Sequence, residues 1–505
     1  MMEFMPRVFL TTMTLVIGVA LGTGAPMDLR AADWPTFGFN NLRQGNNPNE
    51  TTLGPTNVQN LVAKWSFAAQ GAITAQPVLA EGVSVNGTPM DLLFVGDNNG
   101  NFFALDANST NPAGIIIWTR SLGFLQPAPR CLDLPNNHFG IIGSAAISRS
   151  ADGGALFVAA NGRAYAFDLA TGNPVSPWPA GGIAIPNVVP TKDGYIYGGV
   201  ALANGNLYIT TASACDHSPY HGQIAEFNAA TATFVRQWFT IGGGTTPPPQ
   251  SGGGIWGPGG VAVDEQPGGG VFAATGNAQP HGQPGESIDF AEDIVKLSLD
   301  LSSLLSDANP AIIGSDVDFG ATPLLFTATG CAPSVAALAK SGEVFVYWDS
   351  NNLINPQRIE IAPGGPEGQL VGIPAWDSAT QLLFVTDPAD ASSGAYKRGL
   401  IAFGIQNCQL AKVWQTADVA TPPTIANDTY LSPPTAANGV VYFGVGGAYH
   451  GGSSPPNVYA ISEQTGQVLW QTTDITGPVL TAPTVVNGQV FVGTFDNKIV
   501  AYGLP

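Results

Sequence analysis

The sequence has few charged residues and few residues that bind metals or form thiolates. Only 10% of the 505 residues are charged, and the chain contains five histidines and four cysteines. Its 17 basic and 36 acidic side chains give a formal net charge of −19, with no basic run. Such a chain is repelled by phosphate backbones and anionic lipid surfaces, which excludes nucleic acid and charged membranes as expected partners.

Long apolar runs are absent beyond residue 32, which excludes a later membrane-spanning helix. Near the N-terminus, Arg7 precedes the apolar run VFLTTMTLVIGVALG, and small residues follow it. This pattern is typical of an export signal, although Glu3 weakens its basic start. We therefore expect residues 1–32 to form a signal peptide, with an uncleaved anchor as the alternative. The rest of the chain is then periplasmic or secreted.

A repeated phrase is the strongest pattern that is present, and it returns about every 58 residues. An alternating apolar strand, a polar turn and a second strand lead into a loop of the ALDxxTG type, and a tryptophan follows. Glycine (63 residues) and proline (41 residues) separate the strands, as turn residues do. The tryptophans in register are Trp65, Trp118, Trp178, Trp238, Trp414 and Trp470.

The repeats predict an all-β, eight-bladed β-propeller of four-stranded antiparallel blades over residues 33–505. The long gap between Trp238 and Trp414 holds two further repeats that lack the tryptophan. The last strand pair, residues 481–503, is expected to close the ring against the N-terminal segment WPTFGF. One segment, LSLDLSSLLSDA at 297–308, is a helix candidate.

Four cysteines in an exported chain predict two disulfides, for which three pairings exist. We favour Cys331–Cys408, since both lie at the edges of consecutive blades. The other pair is then Cys131–Cys215, in long loops of early blades. A CxxCH motif is absent, which excludes an attached c-type haem domain.

The repeats, the opening DWPTFGFNNLRQG and the stretch GGGIWGPGGVAVDEQPGGGVFAATGN at 252–277 resemble the pyrroloquinoline quinone (PQQ) propeller family. That family includes quinoprotein alcohol dehydrogenases and polyvinyl alcohol dehydrogenase. The resemblance covers nearly the whole expected mature chain. Non-enzymatic propellers such as the outer-membrane assembly lipoprotein BamB share the tryptophan repeats, so the repeats alone do not imply catalysis.

The resemblance implies a role for each of five residues. Trp256 would form the floor beneath the flat quinone, and Lys340 would place a cation over the quinone oxygens. Asn277, Asp318 and Asp216 would supply the oxygen ligands that Ca²⁺ or another hard cation prefers. Asp318 would also accept the proton of an alcohol.

Two departures from the family pattern bear on catalysis more than on fold. The base sits in a phrase like WDYD in the family, whereas here Val317 separates Asp316 from Asp318. The vicinal cysteine pair that caps the quinone in many alcohol dehydrogenases is absent, and Cys131 stands alone.

Each site residue also has a purely structural interpretation. Trp256 could pack between blades, Asn277 and Asp318 could stabilise turns, and Lys340 could reach solvent. Asp216 with His217 and His221 has a spacing that could suggest zinc, but ligands four residues apart suit a helix, and this stretch has the pattern of strand and loop.

Three functions follow from this reading. The first is an exported PQQ- and calcium-dependent dehydrogenase that oxidises a small or polymeric alcohol to a carbonyl and passes electrons to an external acceptor such as a cytochrome. The alternative is a non-catalytic PQQ-like propeller that acts as a binding or assembly scaffold. A hydrolase or lyase is a third possibility, for which no Ser-His-Asp spacing or paired-carboxylate motif is found.

Overall fold

The structure is a computed structural model that describes Met1 and residues 33–149, 154–279, 288–312, 316–364, 371–426, 430–447, 454–472 and 474–505. All but Met1 of the expected signal peptide therefore lies outside the described residues. Helix in the described part is confined to α1 (Pro190–Asp193) and three short 3-10 turns (Val58–Asn60, Pro135–Asn137 and Thr416–Asp418). None of these described helices could cross a bilayer.

Two strands, β1 (Asn46–Asn47) and β2 (Val62–Ala68), precede the first complete blade. Four antiparallel blades then follow in chain order. Blade 1 consists of β3 (Val78–Val85), β4 (Thr88–Gly96), β5 (Asn101–Asp106) and β6 (Ile116–Ser121). Blade 2 consists of β7 (Ala146–Ser148), β8 (Ala155–Ala160), β9 (Arg163–Asp168) and β10 (Ile183–Ala184). Blade 3 consists of β11 (Ala201–Ala203), β12 (Asn206–Thr211), β13 (Gln223–Asn228) and β14 (Thr233–Phe239). Blade 4 consists of β15 (Ala262–Asp264), β16 (Gly270–Ala274), β17 (Ile294–Leu297) and β18 (Leu304–Ala308).

The second half of the chain repeats this arrangement. Blade 5 consists of β19 (Leu324–Phe326), β20 (Ser334–Ala339), β21 (Glu343–Tyr347) and β22 (Gln357–Glu360). Blade 6 consists of β23 (Ala375–Asp377), β24 (Leu382–Asp387), β25 (Gly399–Ile405) and β26 (Leu410–Gln415). Blade 7 consists of β27 (Thr435–Ala437), β28 (Val440–Val445), β29 (Asn457–Ser462) and β30 (Val468–Gln471), with β1 added in parallel beside β27. Blade 8 consists of β31 (Thr484–Val486), β32 (Gln489–Gly493), β33 (Lys498–Gly503) and β2.

The eight-bladed propeller predicted from the repeats is confirmed, and the two ends of the chain share blade 8. Two details of the prediction were wrong. The closing strand is β2, which contains Trp65 and pairs with β33, rather than the WPTFGF segment. The helix candidate at 297–308 is instead the end of β17, a turn and the whole of β18, and Leu301 in the turn has a φ of 52°, which a right-handed helix does not allow.

The repeated tryptophans join neighbouring blades. The indole nitrogen of Trp118 in blade 1 donates to the carbonyl of Leu169 in blade 2 at 2.9 Å, and Trp414 in blade 6 donates to Glu463 in blade 7 at 2.8 Å. Each indole lies against the glycine of the next blade's TG phrase. A Cβ atom on Gly172 would lie 2.5 Å from the Trp118 ring. The ALDxxTG loop is therefore the receptor for the preceding tryptophan, which explains why the two recur together.

An N-terminal belt, residues 34–47, runs around one end of the central channel. It hydrogen-bonds to every blade in turn, mostly through backbone groups, at 2.8–3.1 Å. The pairs are Trp34 with Leu79, Pro35 with Ile147, Thr36 with Val200, Arg43 with Val261, Leu42 with Leu325, Gln44 with Trp376, Gly45 with Ala436, and Asn47 with Val485. The belt therefore satisfies backbone groups of the innermost strands that would otherwise face an empty channel.

Arg43 lies at the centre of the belt and is fully buried. Its Nη1 donates to the hydroxyl of Thr36 at 2.8 Å and to the carbonyl of Phe37 at 2.9 Å. Burial lowers the pKa of Arg43 to about 9. Arg43 thus folds the belt back on itself and brings Phe37 to the channel axis.

Both expected disulfides are present. Cys131 is bonded to Cys215, and Cys331 is bonded to Cys408. Cys331 precedes the second strand of blade 5, and Cys408 lies between the last two strands of blade 6. Cys131–Cys215 links the long loop before blade 2 to a loop of blade 3, at the end of the channel described below.

We expect the indole hydrogen bond to stabilise the interface between blades 1 and 2. Trp118→Phe removes it and leaves the buried carbonyl of Leu169 without its donor. Trp238→Phe is a matched control, because the buried Trp238 nitrogen has no hydrogen-bond partner among the residues that the structure describes. The loss in free energy of unfolding should be about 1 kcal/mol larger for Trp118→Phe. Urea denaturation would measure both variants, and equal losses would contradict the assigned role.

The Cys331–Cys408 disulfide should stabilise the fold by restricting the unfolded chain. It closes a loop across 77 residues. Replacing both cysteines by serine should lower the free energy of unfolding by about 2–4 kcal/mol. The urea midpoint should fall in the double variant. It should fall by the same amount in wild-type protein in which only this disulfide has been reduced, as verified by peptide mapping. An unchanged midpoint in the double variant would reject the prediction.

Candidate functional site

A cavity of about 460 Å³ opens at the channel, with Phe37 of the belt among its lining residues. Its walls come from two kinds of segment at the same end of the blades. One kind leads into the innermost strand of a blade, as Trp256 does before β15 and Asp318 before β19. The other connects the second and third strands, as Asn277 does in blade 4 and Lys340 in blade 5. Blade geometry therefore collects residues that are distant in sequence.

Trp256 offers a flat, half-buried surface to this cavity. Its indole nitrogen donates to Oδ2 of Asp318 at 3.1 Å, and Tyr197 packs edge-on against it with ring centroids 6.4 Å apart. A Cβ atom on Gly320 would lie 2.4 Å from the indole ring, so only glycine lets the ring approach the backbone there. The contacts with Gly320 and Asp318 thus set the orientation of the Trp256 ring.

Lys340 forms the charged centre of the site. Its ammonium lies 2.7 Å from Oδ1 of Asp316, 2.9 Å from Oδ1 of Asp318, and 4.9 Å from the centre of the Trp256 ring. Burial alone would lower the pKa of Lys340, but the carboxylates of Asp318 and Asp316 raise it above its ordinary value. Lys340 therefore stays cationic and balances part of the negative charge.

Asp216 reaches the cavity from the loop between β12 and β13 of blade 3. It follows disulfide-bonded Cys215, and both residues have positive φ angles, 51° and 47°. The hydroxyl of the buried Tyr220 donates to Oδ1 of Asp216 at 2.5 Å. Burial, with the charge of Asp318 adding to it, raises the pKa of Asp216 to about 6. The disulfide and Tyr220 thus hold the carboxyl group of Asp216 at the cavity.

Asn277 is buried and lies in the TGN turn between β16 and β17. Its backbone carbonyl accepts from the amide of Gly253 at 2.8 Å, and its side-chain nitrogen donates to the carbonyl of Ala278 at 3.3 Å. Because the side-chain nitrogen of Asn277 makes this bond, the side-chain oxygen of Asn277 takes no part in it. The preceding Gly276 gives room to Asp318, whose Oδ2 would lie 2.8 Å from a Cβ atom there.

All five residues named from the sequence line this one cavity: Asp216, Trp256, Asn277, Asp318 and Lys340. Direct contacts join Trp256, Asp318 and Lys340. Lys340 does not extend freely into solvent, since 9% of it is exposed. The roles of the five residues stay predictions. Sequence reasoning missed the contacts of Tyr220 with Asp216 and of Asp316 with Lys340, because both depend on loop conformations that no motif in the sequence indicates.

Two other groupings do not form metal sites. Cys131, Asp133 and Cys215 place ligand atoms within 4.8 Å of one another, but the disulfide leaves no thiolate to bind a metal. His221 lies 3.5 Å from Asp193 and contacts the carbonyl of Pro248 at 3.0 Å, so it does not join His217 and Asp216 as a zinc ligand.

Comparison with known proteins identifies the same architecture. The profile of the family described as outer membrane protein assembly factor BamB matches residues 409–503. No curated protein sequence matches the chain significantly. Among solved structures, the quinohemoprotein alcohol dehydrogenase from Comamonas testosteroni is similar, with 17% identity, a TM-score of 0.66, and coverage of 94% of this chain and 80% of that chain.

Two further solved structures are similar in fold. A europium-containing methanol dehydrogenase is 15% identical, with a TM-score of 0.66, and the alignment covers 95% of this chain and 99% of that chain. BamB from Moraxella catarrhalis is 12% identical, with a TM-score of 0.52, and the alignment covers 88% and 99% of the two chains. The chain is thus a PQQ-like β-propeller in fold, with sequence similarity to a family profile over residues 409–503.

Proposed function

We propose that this protein is an exported PQQ- and calcium-dependent dehydrogenase that oxidises an alcohol to a carbonyl. The observation that carries the proposal is the contact of Trp256, Asp318 and Lys340 within one cavity that Asn277 and Asp216 also line. A packing role would not bring an indole face, an ion pair and two further oxygen donors to the same cavity. Similarity of fold to alcohol and methanol dehydrogenases supports it.

The residues present fit both the quinone and a hard cation. The flat face of Trp256, backed by Gly320, suits stacking with a planar ring. The amide oxygen of Asn277 and the carboxylates of Asp318 and Asp216 form an all-oxygen donor set, which suits Ca²⁺. Because the solved relative of similar fold contains europium, a trivalent ion is a second cation to test.

The chain's own residues supply the acid–base chemistry. When bound, PQQ would supply the two-electron oxidant, and the cation would polarise its carbonyl group. Asp318 would accept the hydroxyl proton of the alcohol through a carboxylate oxygen. The ammonium of Lys340 lies 2.9 Å from Oδ1 of Asp318 and so holds this carboxylate oxygen in place. The indole nitrogen of Trp256 donates to the other oxygen of Asp318 and so orients the carboxylate.

The remaining assignments follow from this proposal. Two disulfides are typical of proteins outside the cytoplasm, which supports a periplasmic or secreted location for residues 33–505 after removal of the signal peptide. Without a CxxCH motif, electrons would pass to an external acceptor, such as a separate cytochrome.

Reconstitution with cofactors is the direct test. The purified protein, incubated with PQQ and either Ca²⁺ or Eu³⁺, should bind PQQ in equilibrium dialysis and reduce an artificial dye when an alcohol is added. Removal of the cation by a chelator should abolish dye reduction, because the cation polarises the quinone. Failure to bind PQQ with either cation would reject the proposal.

Two substitutions should separate chemistry from cofactor binding. Asp318→Asn should lower kcat by about 10²–10⁴ while leaving part of the PQQ binding, because the base is lost but the amide oxygen of asparagine can still act as a ligand to the cation. Trp256→Ala should weaken PQQ binding by about tenfold or more, and Trp256→Phe should recover most of it, because a ring is restored. Asp307→Asn, at an exposed position on β18, is the control for a lost carboxylate. Equal kcat for Asp318→Asn and Asp307→Asn would contradict the assigned base.

The second candidate is a binding or assembly scaffold without a cofactor. It is favoured by the match of residues 409–503 to the BamB family profile. A scaffold does not need the contacts among Trp256, Asp318 and Lys340. It would therefore keep its partner binding when Asp318 is replaced, and it would take up no PQQ.

A further inference from the structure

The cavity has two walls of different chemistry. Its ionisable groups are Asp133 from the loop before blade 2, Asp216 from blade 3, and Asp316, Asp318 and Lys340 from blade 5 and the segment that leads into it. Blades 7 and 8 lie across the ring from blades 3 and 4. Among the described residues, the lining residues that lead into or belong to blades 6–8 carry no charge, and most are apolar: Val371, Leu431, Pro433, Leu480, Ala482 and Phe495.

The apolar wall is built into the fold. Leu431 belongs to the packed core between blades 6 and 7 and is 8% exposed. Leu480 is half-buried, and its Cδ2 would lie 2.7 Å from a Cβ atom on Gly446. The amide of Gly446 donates to the carbonyl of Tyr430 at 2.7 Å. This glycine thus lets Leu480 and the segment before β27 form one continuous surface.

The charge balance of the cavity opposes an anionic ligand in the substrate position. Four described carboxylates line the cavity, those of Asp133, Asp216, Asp316 and Asp318, against the single ammonium of Lys340. A divalent cation would neutralise part of this charge, but the three carboxylates of PQQ would add to it. A substrate with its own carboxylate would therefore be repelled.

We infer that the substrate is an uncharged alcohol with an apolar body of several carbon atoms. Its hydroxyl would face Asp318, and its body would lie along Leu431, Leu480 and Phe495. This inference rests on the proposed function. Each methylene buried on that wall should raise kcat/KM about fourfold, until the wall is covered.

Three compounds with six carbon atoms test the inference at constant chain length. For the PQQ- and cation-loaded protein, kcat/KM should be highest for 1-hexanol and at least tenfold lower for both 6-hydroxyhexanoate and sorbitol. Leu480→Asp should reduce kcat/KM for 1-hexanol by tenfold or more, and Leu480→Met should restore it. Leu305→Asp is the matched control, because Leu305 is 50% exposed on β18 of blade 4.

A binding measurement keeps this test separate from that of the proposed function. Saturation-transfer NMR of the cofactor-free protein should show 1-hexanol in contact with the protein, and Leu480→Asp but not Leu305→Asp should remove the signal. Dye reduction with equal kcat/KM for the three compounds would overturn the substrate class and leave the dehydrogenase standing. Absence of PQQ binding would overturn the dehydrogenase. A hexanol signal that Leu480→Asp leaves unchanged would overturn the apolar wall.

Discussion

The hydrogen bonds between the N-terminal belt and the innermost strands are the constraint on which the rest of the structure depends. A ring of eight blades leaves an open channel lined by short strands, and their inner edges need partners. Residues 34–47 provide those partners for all eight blades and bring Phe37 to the lining of the cavity. The belt fixes the inner diameter of the ring and, with it, the separation of the loops that carry the site.

The tryptophan docking acts on the outside of the same ring. Trp118 and Trp414 each cross from one blade to a glycine-containing loop of the next, at Gly172 and Gly466. Where the tryptophan is present, the inner belt and the outer indole contact a blade at two distances from the channel. Blades 4 and 5, which carry Trp256 and Lys340, lack the docking tryptophan and are joined to the others by the belt.

Much of the fold could be predicted because its signals are periodic. The tryptophan spacing gave the blade number, and the even cysteine count with blade positions gave both disulfides. The belt could not be predicted, since it binds mainly through backbone groups that leave no pattern of residue types. The segment 297–308 was mistaken for a helix because the spacing of its leucines fits both the helical and the strand repeat. The positive φ of Leu301 excludes the helix.

The candidate site was only partly accessible from the sequence for a similar reason. Asn277 and Trp256 occur in short phrases whose glycines have a steric purpose, since Gly276 makes room for Asp318. Asp316, Tyr220 and the residues of the apolar wall do not occur in short glycine-containing phrases of this kind. Tyr220 contacts Asp216 within one loop of blade 3, and Asp316 contacts Lys340 within blade 5, through loop conformations that the sequence does not indicate. The apolar wall joins them in one cavity only because the ring closes.

Ring closure also has a consequence for how the chain folds. Strand β2 pairs with β33, so residues from opposite ends of the sequence must meet before blade 8 exists. Contacts with such large sequence separation form late, because the entropy of the intervening chain must be lost first. Until then, the apolar edges of blades 1 and 7 are exposed. During that interval the unpaired strand edges offer backbone groups with which another copy of the chain could pair.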